Sequence, residues 1–385
     1  CNLLDTVKSL NSKILDLAIR GQLVPQDPAD EPASALLDRI RTEKETLIKA
    51  GKIKKTATDS YGATVWTLAN GLKVIALPTE YKKNQIVFSL VKKGGLSLIP
   101  TEDLDSFNET VISLYDNCRG VGEFDKTTAG KMLTGKTLAV GTSITETGCG
   151  INGNCAPEDL ETALQLVYLE YMSPRFSQEE WDVAMNQLKT YIPHIVTTPD
   201  YAFSKHLYED LYKSPRRALI DQAKVEKASL DTYRKYYPVL FDNVNGAVMY
   251  IIGDFKIDAL KPLVEKYCGS LPKGKAGKGY KLENIPNFAK GVNHDVFQTA
   301  MTTPKASVAQ IYSADVSYSV QKAVNLKAAD FILDMIYTET LRESEGGTYG
   351  ASTQVAASYQ PYERATIQVF FDTNLDQQEH LRELA

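Results

Sequence analysis

The chain has 385 residues, 43% of them hydrophobic and 24% charged, which suits a soluble globular protein of about two or three domains. A formal charge of −5 and a pI near 5.6 give no general pull toward nucleic acid or anionic membrane. No apolar run approaches the ~20 residues of a membrane span, so no membrane partner is expected. The opening CNLLD shows no basic stretch followed by an apolar one, and a chain that starts on Cys1 is expected to have lost its natural start. Cys1, Cys118, Cys149, Cys155 and Cys268 form no C-x-x-C pair, and their odd number argues against a disulfide framework.

Over residues 1–55, Leu3, Val7, Leu10, Ile14 and Leu17 alternate in steps of four and three, the seam of a short coiled coil. Gly21 ends this helix, and Leu23 to Pro28 reads as an extended connector. Asp30 caps a second helix with Pro32 in its first turn and Ile40 and Leu47 on its apolar face. An antiparallel helical hairpin is the expectation, with the basic cluster around Lys49–Lys55 as a solvated helix end. The stretch LNSKILDLAIRGQLVPQDPADEPASALLDRIRTEKETLIKAGKIKK resembles the helical spacer of type I restriction–modification specificity subunits. In that family such helices separate two DNA-reading domains and dock on methyltransferase subunits. The resemblance thus implies a methyltransferase subunit as partner of the 1–55 arm, although no DNA-reading domain accompanies it.

Residues 56–272 read as one complete unit. Residues 65–77 alternate around Asn70-Gly71, the dipeptide that supports a tight hairpin turn, and a strand follows over 85–92. Helices are expected over 104–117 and 125–133, strands over 137–145 and 148–154, and helices over 159–172 and 177–191. The last of these opens on the capping box Ser177-Gln178-Glu179-Glu180. Helices over 201–213 and 229–237, a strand over 247–252 and a helix over 257–267 close the unit. Strands and helices come in groups rather than in strict alternation, which is an α+β pattern. Residues 273–292 read as a linker, opened by the flexible basic run KGKAGKG.

The order then recurs. Strands over 295–302 and 307–314, a helix over 327–345, strands over 348–358 and 364–371 and a helix over 374–384 repeat the first half of the preceding unit. The second copy, 293–385, stops about halfway and is expected to be truncated, because a half-built sheet exposes apolar surface. Ala328, Phe331, Ile332, Met335, Ile336 and Leu341 recur at helical spacing and form the expected core face of the 327–345 helix. Gly346-Gly347 stops it. Arg342 then falls in the last helical turn and Tyr349 at the start of the next strand.

The four histidines, His194, His206, His294 and His380, are widely spread, and neither His-x-x-Glu-His nor His-Glu-x-x-His occurs. No nucleophile elbow or Walker loop appears. Arg342 and Tyr349 remain as the candidate functional pair, since a guanidinium and a phenol can hold a carbonyl or an oxyanion. From chemistry alone the favoured reading is structural, Arg342 as a helix-dipole partner and Tyr349 as a sheet-packing ring.

TLANGLKVIALP, VKKGGLS, APEDLETALQLVYLEY, YEDLYKSPRRAL, IIGDFKIDALKPLVEKYCGSLP and LRESEGGTYG change that balance. With them, residues from about 65 to 385 resemble the C-terminal, non-catalytic half of an insulinase/pitrilysin-family zinc peptidase. The resemblance implies α+β domains of the mitochondrial-processing-peptidase-like kind, arranged as a clamshell. It implies zinc and its His-x-x-Glu-His motif in a separate N-terminal half, with no cofactor held by this chain. It also implies a substrate-holding Arg and Tyr seven residues apart, positions on which Arg342 and Tyr349 fall. Where an active domain carries its zinc helix, this chain reads Asp103 to Val111 without a histidine. The expectation is a fused fragment: a restriction-type arm before the substrate-enclosing half of a metallopeptidase, inactive alone and acting on peptides with a zinc-bearing partner half. The alternative is a specificity-subunit fragment that docks on a methyltransferase. The compartment follows whichever resemblance holds, periplasmic for the peptidase and cytoplasmic for the restriction subunit.

Overall fold

A computed structural model describes residues 61–385, the short strand Ala57–Thr58 and, before it, Arg39, Thr42 and Thr46, which are helical. The expected helical hairpin otherwise lies outside the described residues. The chain divides into two compact units, Cys1–Ala57 and Thr58–Ala385.

In the larger unit a seven-stranded sheet comes first. Its strands are β1 (Ala57–Thr58), β2 (Thr64–Thr67), β3 (Lys73–Pro78), β4 (Ile86–Lys93), β5 (Leu138–Ile144), β6 (Gly148–Cys155) and β7 (Val248–Gly253), in the order β1-β2-β3-β7-β4-β6-β5. β2 and β3 pair antiparallel on either side of the Asn70-Gly71 turn, where Gly71 takes φ +89°. Asn70 does more than turn the chain: its buried amide donates to the carbonyls of Cys268 (2.8 Å) and Leu271 (3.0 Å), tying the hairpin to a distant helix end.

The burial of β4 alternates: Ile86, Phe88, Leu90 and Lys92 point to one face and are buried. Eight helices belong to this part of the chain, and most of them build the layer on that face: α1 (Glu109–Cys118), α2 (Lys126–Met132), α3 (Leu160–Met172), α4 (Gln178–Ile195), α5 (Pro199–Tyr212), α6 (Gln222–Lys227), α7 (Leu230–Phe241) and α8 (Ile257–Tyr267), of which α2 and α5 bury no residue. Several starts follow from their caps. Asn108, Asp125, Ser177 and Ser229 each accept a backbone N–H of the first turn, which satisfies a donor the helix cannot. The 104–107 part of the expected first helix is instead a turn before the Asn108 cap.

An aromatic cluster holds the layer together. The Tyr115 ring lies 5.0 Å from both Trp181 and Tyr233, edge-on, and Tyr237 stacks on Phe241 at 4.6 Å. Beside it Arg119 pairs with Asp116 and Glu170, each at 2.7 Å, while Tyr233 and Tyr237 donate to the Asp116 carboxylate and the Glu170 carbonyl. Such pairing lets charged groups sit in a core that would otherwise reject them. Arg216, from YKSPRRAL, donates to the carbonyls of Leu96 and Ile99 and so fixes the loop after β4.

The segment 273–292 is not free. Asn284 donates to the Ser97 carbonyl at 2.7 Å, Ala289 to that of Leu211 at 2.7 Å, and Ile285 is buried. The expected strand over 295–302 does not form; those residues are irregular.

The second sheet has three antiparallel strands, β8 (Ala306–Asp315), β9 (Ala351–Ser358) and β10 (Arg364–Thr373), in the order β8-β10-β9. This is the β4-β6-β5 arrangement again, with the same pairing senses. Helix α9 (Val320–Tyr337) packs on β9, and a π-helical turn, Thr338–Ser344, continues it; α10 (Gln378–Leu384) follows β10. α9 begins seven residues before the expected 327, where Ser319 caps it. Its roll also differs from expectation. Phe331 (70% exposed), Ile332, Met335 and Ile336 face solvent, and of the expected core face only Leu341 is buried. The sheet-facing side carries Asp330, whose carboxylate accepts from Val355 N–H at 2.8 Å and Thr353 Oγ1 at 3.1 Å and pairs with Lys327.

Candidate substrate-binding site

The π-helical turn and the loop that joins it to β9 carry the expected pair. Leu341 is buried, Gly346 adopts φ +61°, and the Gly347 carbonyl accepts Thr373 Oγ1 at 2.6 Å. A Cβ on Gly347 would come within 2.6 Å of the Leu381 side chain, so this point of the loop is pressed against α10. Glu345 and His380 add a contact at 2.9 Å between the loop and α10.

To either side of the Glu345–Gly347 anchors, Arg342 and Tyr349 are both exposed, and the side chain of neither has a hydrogen bond or ion pair among the described residues. Their setting differs from expectation in two respects. Arg342 lies in a π-helical turn rather than the last turn of an α-helix, and Tyr349 precedes β9 by two residues rather than opening the strand. The ring therefore does not pack on the sheet. Two donors without partners among the described residues, on either side of the anchored Glu345–Gly347 stretch, are available to a ligand.

A larger feature escaped the sequence reading. The face of the seven-stranded sheet opposite the helices is open, and its centre is apolar. Val87 and Val91 of β4 and Tyr250 and Ile252 of β7 are 42–49% exposed. They are cross-strand neighbours: Val87 lies opposite Ile252, Ser89 opposite Tyr250, and Val91 opposite Val248. Toward the β5 side the surface turns polar, where Ser89 donates to Asn152 Oδ1 at 2.6 Å. The signal was present in IVFSLVKK, apolar on both faces where a strand with one solvated face should alternate.

Among the described residues no group of three or more His, Cys, Asp and Glu could hold a metal ion. The stretch at the zinc-helix position is committed otherwise: Phe107 is buried against Tyr233 and Tyr236, Asn108 caps α1, Asp103 accepts from Tyr236 and Lys235, and Asp105 pairs with Lys227. Hydrogen bonds from Tyr236 first, and Lys235 second, hold the Asp103 carboxyl below its usual range.

Residues 227–384 match the family model of the peptidase M16 inactive domain. The probable zinc protease PqqL of Haemophilus influenzae is 24% identical over 289 residues, 74% of this chain and 30% of that protein. Another 49 residues, 13% of this chain and 8% of the relative, are 65% identical to the EcoAI type I restriction enzyme specificity subunit of Escherichia coli. Among solved structures, the periplasmic protease PqqL of Escherichia coli superposes with a TM-score of 0.72 at 18% identity, covering 86% of this chain and 36% of that one. The ferredoxin protease FusC, solved with Arabidopsis ferredoxin, gives 0.69 at 17%, again over 86% and 36%.

The α+β fold is thus that of the M16 peptidases. Residues 227–384 match the M16 inactive-domain model, the larger part of the chain is similar to M16 zinc proteases, and a short segment resembles a restriction specificity subunit. The chain spans about a third of the length of the zinc proteases it matches.

Proposed function

We propose that residues 58–385 form the non-catalytic wall of a peptide-enclosing chamber and work with a separate zinc-bearing half that performs hydrolysis. The observation that carries this reading is the open sheet face, whose apolar centre and polar flank suit an extended polypeptide of mixed side chains. Arg342 and Tyr349 hold the substrate beside that wall, the guanidinium on a backbone carbonyl or carboxylate and the phenol as a second donor. A protein substrate is consistent with the ferredoxin complex of the structural neighbour.

The purified chain should show no zinc-dependent peptide cleavage but should bind unstructured peptides. Arg342→Ala should weaken that binding about tenfold, the loss of one charge-assisted hydrogen bond. Fluorescence anisotropy with labelled peptides measures it. Zinc-dependent cleavage by the chain alone, or unchanged peptide affinity in Arg342→Ala, overturns the reading.

The 65% match over 49 residues supports a second reading for the arm alone, docking on a methyltransferase subunit of a type I restriction system. A pull-down with and without residues 1–55 tests it; capture that does not depend on the arm argues against it.

A further inference from the structure

Helix α2 stands off the rest of the helix layer. It buries no residue, yet Ala129 and Met132, with Leu133 just beyond, line a cavity of about 310 Å³ whose opposite wall is Leu166 and Leu169 of α3. A close-packed interior closes a gap of that size, because the atoms around it lose contacts on one side. Here both ends of α2 are pinned. Buried Glu180 accepts the N–H groups of Gly120 and Lys126, each at 3.2 Å, and holds the start of the helix. Buried Asp159 accepts the Thr137 N–H at 2.7 Å and pairs with Lys136, and so holds the chain beyond its end. These anchors keep α2 from collapsing onto α3, and every residue around the cavity lies between 121 and 267, within the first repeat.

The lining indicates what the cavity takes. Water needs several polar partners, and carbon and sulfur dominate here. The rings of Phe124, Tyr168 and Tyr267 and the Met132 thioether favour a flat aromatic molecule. An apolar cavity of about 150 Å³ takes benzene, so about twice that volume takes two fused rings. A hydrogen-bond chain sets one polar feature. Tyr267 Oη donates to Glu161 at 2.7 Å, and Lys266 Nζ pairs with the same carboxylate at 3.0 Å. Having given its proton, the phenol can only accept from Gln165 Nε2, at 3.0 Å. That orients the Gln165 amide and leaves its Oε1 without a partner among the described residues. A ligand with one N–H or O–H satisfies it.

We propose that the space between α2 and α3 is a binding site for a small, neutral, fused-ring aromatic molecule with one hydrogen-bond donor, of the size of indole. A free molecule fits better than a tryptophan side chain of a polypeptide. The flanking main-chain amides of a polypeptide would meet the partly exposed Phe124 and Met132 side chains instead of acceptors. The inference goes beyond the peptide-chamber reading and does not rest on it, because none of the lining residues belongs to the open sheet face or the Arg342 loop.

Isothermal titration calorimetry of the full chain tests it. Indole should bind with a dissociation constant below about 1 mM, as expected of a ligand of its size. Ala129→Trp, on a helix that buries no residue, should fill the cavity and weaken indole binding about tenfold or more. Gln165→Leu should lower the ratio of indole to 1-methylindole affinity about three- to tenfold, since only indole offers the N–H. N-acetyltryptophanamide, with its two extra amides, should bind more weakly than indole. Circular dichroism of both variants checks that the fold is kept. Indole binding weaker than about 1 mM, or an affinity that Ala129→Trp leaves unchanged, overturns the proposal. So does a ratio that Gln165→Leu does not move, or tighter binding of N-acetyltryptophanamide than of indole.

Discussion

Asp159 shows how much one carboxylate can organise. It sits before the first turn of α3, accepts the Thr137 N–H at 2.7 Å and pairs with Lys136 Nζ at 3.0 Å, so the start of a helix and the entry to β5 share one anion. The Thr137 N–H first, and Lys136 second, hold its pKa below the ordinary aspartate value. A depressed carboxylate contributes stability that is fully present above the unfolded-state pKa of about 4 and is lost as pH falls through the folded value. Asp159→Asn should therefore lower the melting temperature at pH 7, and its difference from wild type should shrink as the pH falls below about 4. A difference independent of pH over that range would remove the charge from the explanation. Among the caps, Ser177 was legible in advance as the head of a capping box and accepts the Glu180 N–H; Asp125 and Asn108 likewise accept the N–H three residues on, but Asn108 does so four residues after the expected start of its helix. Asn70 was legible as a turn residue, but its link to Cys268 and Leu271 joins points about 200 residues apart in sequence, and no local pattern encodes that.

At the scale of elements, periodicity located most strands and helices and failed where an element is apolar on two sides. β4 is one case. Its Phe88 and Leu90 belong to the core, while Val87 and Val91 line the open face, and the run reads as one uninterrupted apolar stretch. α9 is the other, since Leu326 and Leu333 on one side and Phe331 and Met335 on the other leave no polar stripe to fix its roll. The pair Arg342 and Tyr349 was found by spacing within a resemblance; what spacing did not reveal is that a π-helical turn and a loop, not a helix and a strand, present them. If the open face of β4 and β7 contacts peptide, Ile252→Asp should reduce peptide affinity about tenfold while changing stability little, because the side chain it replaces is 46% exposed. Equal affinities by anisotropy would assign that face another role.

Across the whole described unit, the two sheets communicate through the irregular 273–305 segment rather than by stacking faces. Tyr362, just before β10, donates to the Ile285 carbonyl at 2.7 Å, and Arg364 lies 4.0 Å over the Phe288 ring while donating to Asn287. These contacts fix a stretch that composition alone reads as a linker, since its Gly and Lys content says nothing of partners about 75 residues further along the chain. Arg364→Ala should cost about 2 kcal/mol, combining a cation–π contact and a buried hydrogen bond. Hydrogen exchange should show the loss in β8, β9 and β10 while β3, β4 and β7 keep their protection. Uniform loss across both sheets would mean that they unfold as one cooperative block.

The carboxylate of Asp330 has a consequence for α9 that its hydrogen bonds do not state directly. A helix with two greasy sides has two nearly equivalent ways to lie on a sheet, related by a roll of about 100–140°. Rolling Phe331 and Met335 inward would hide the apolar stripe without any partner. It would also leave the Val355 N–H without an acceptor and drag a charge out of its only set of donors, and a buried amide left unpaired costs about 1–3 kcal/mol. Asp330 thus acts as a keel: it removes the rotational degeneracy of its helix and keeps the sticky side turned toward whatever arrives from outside.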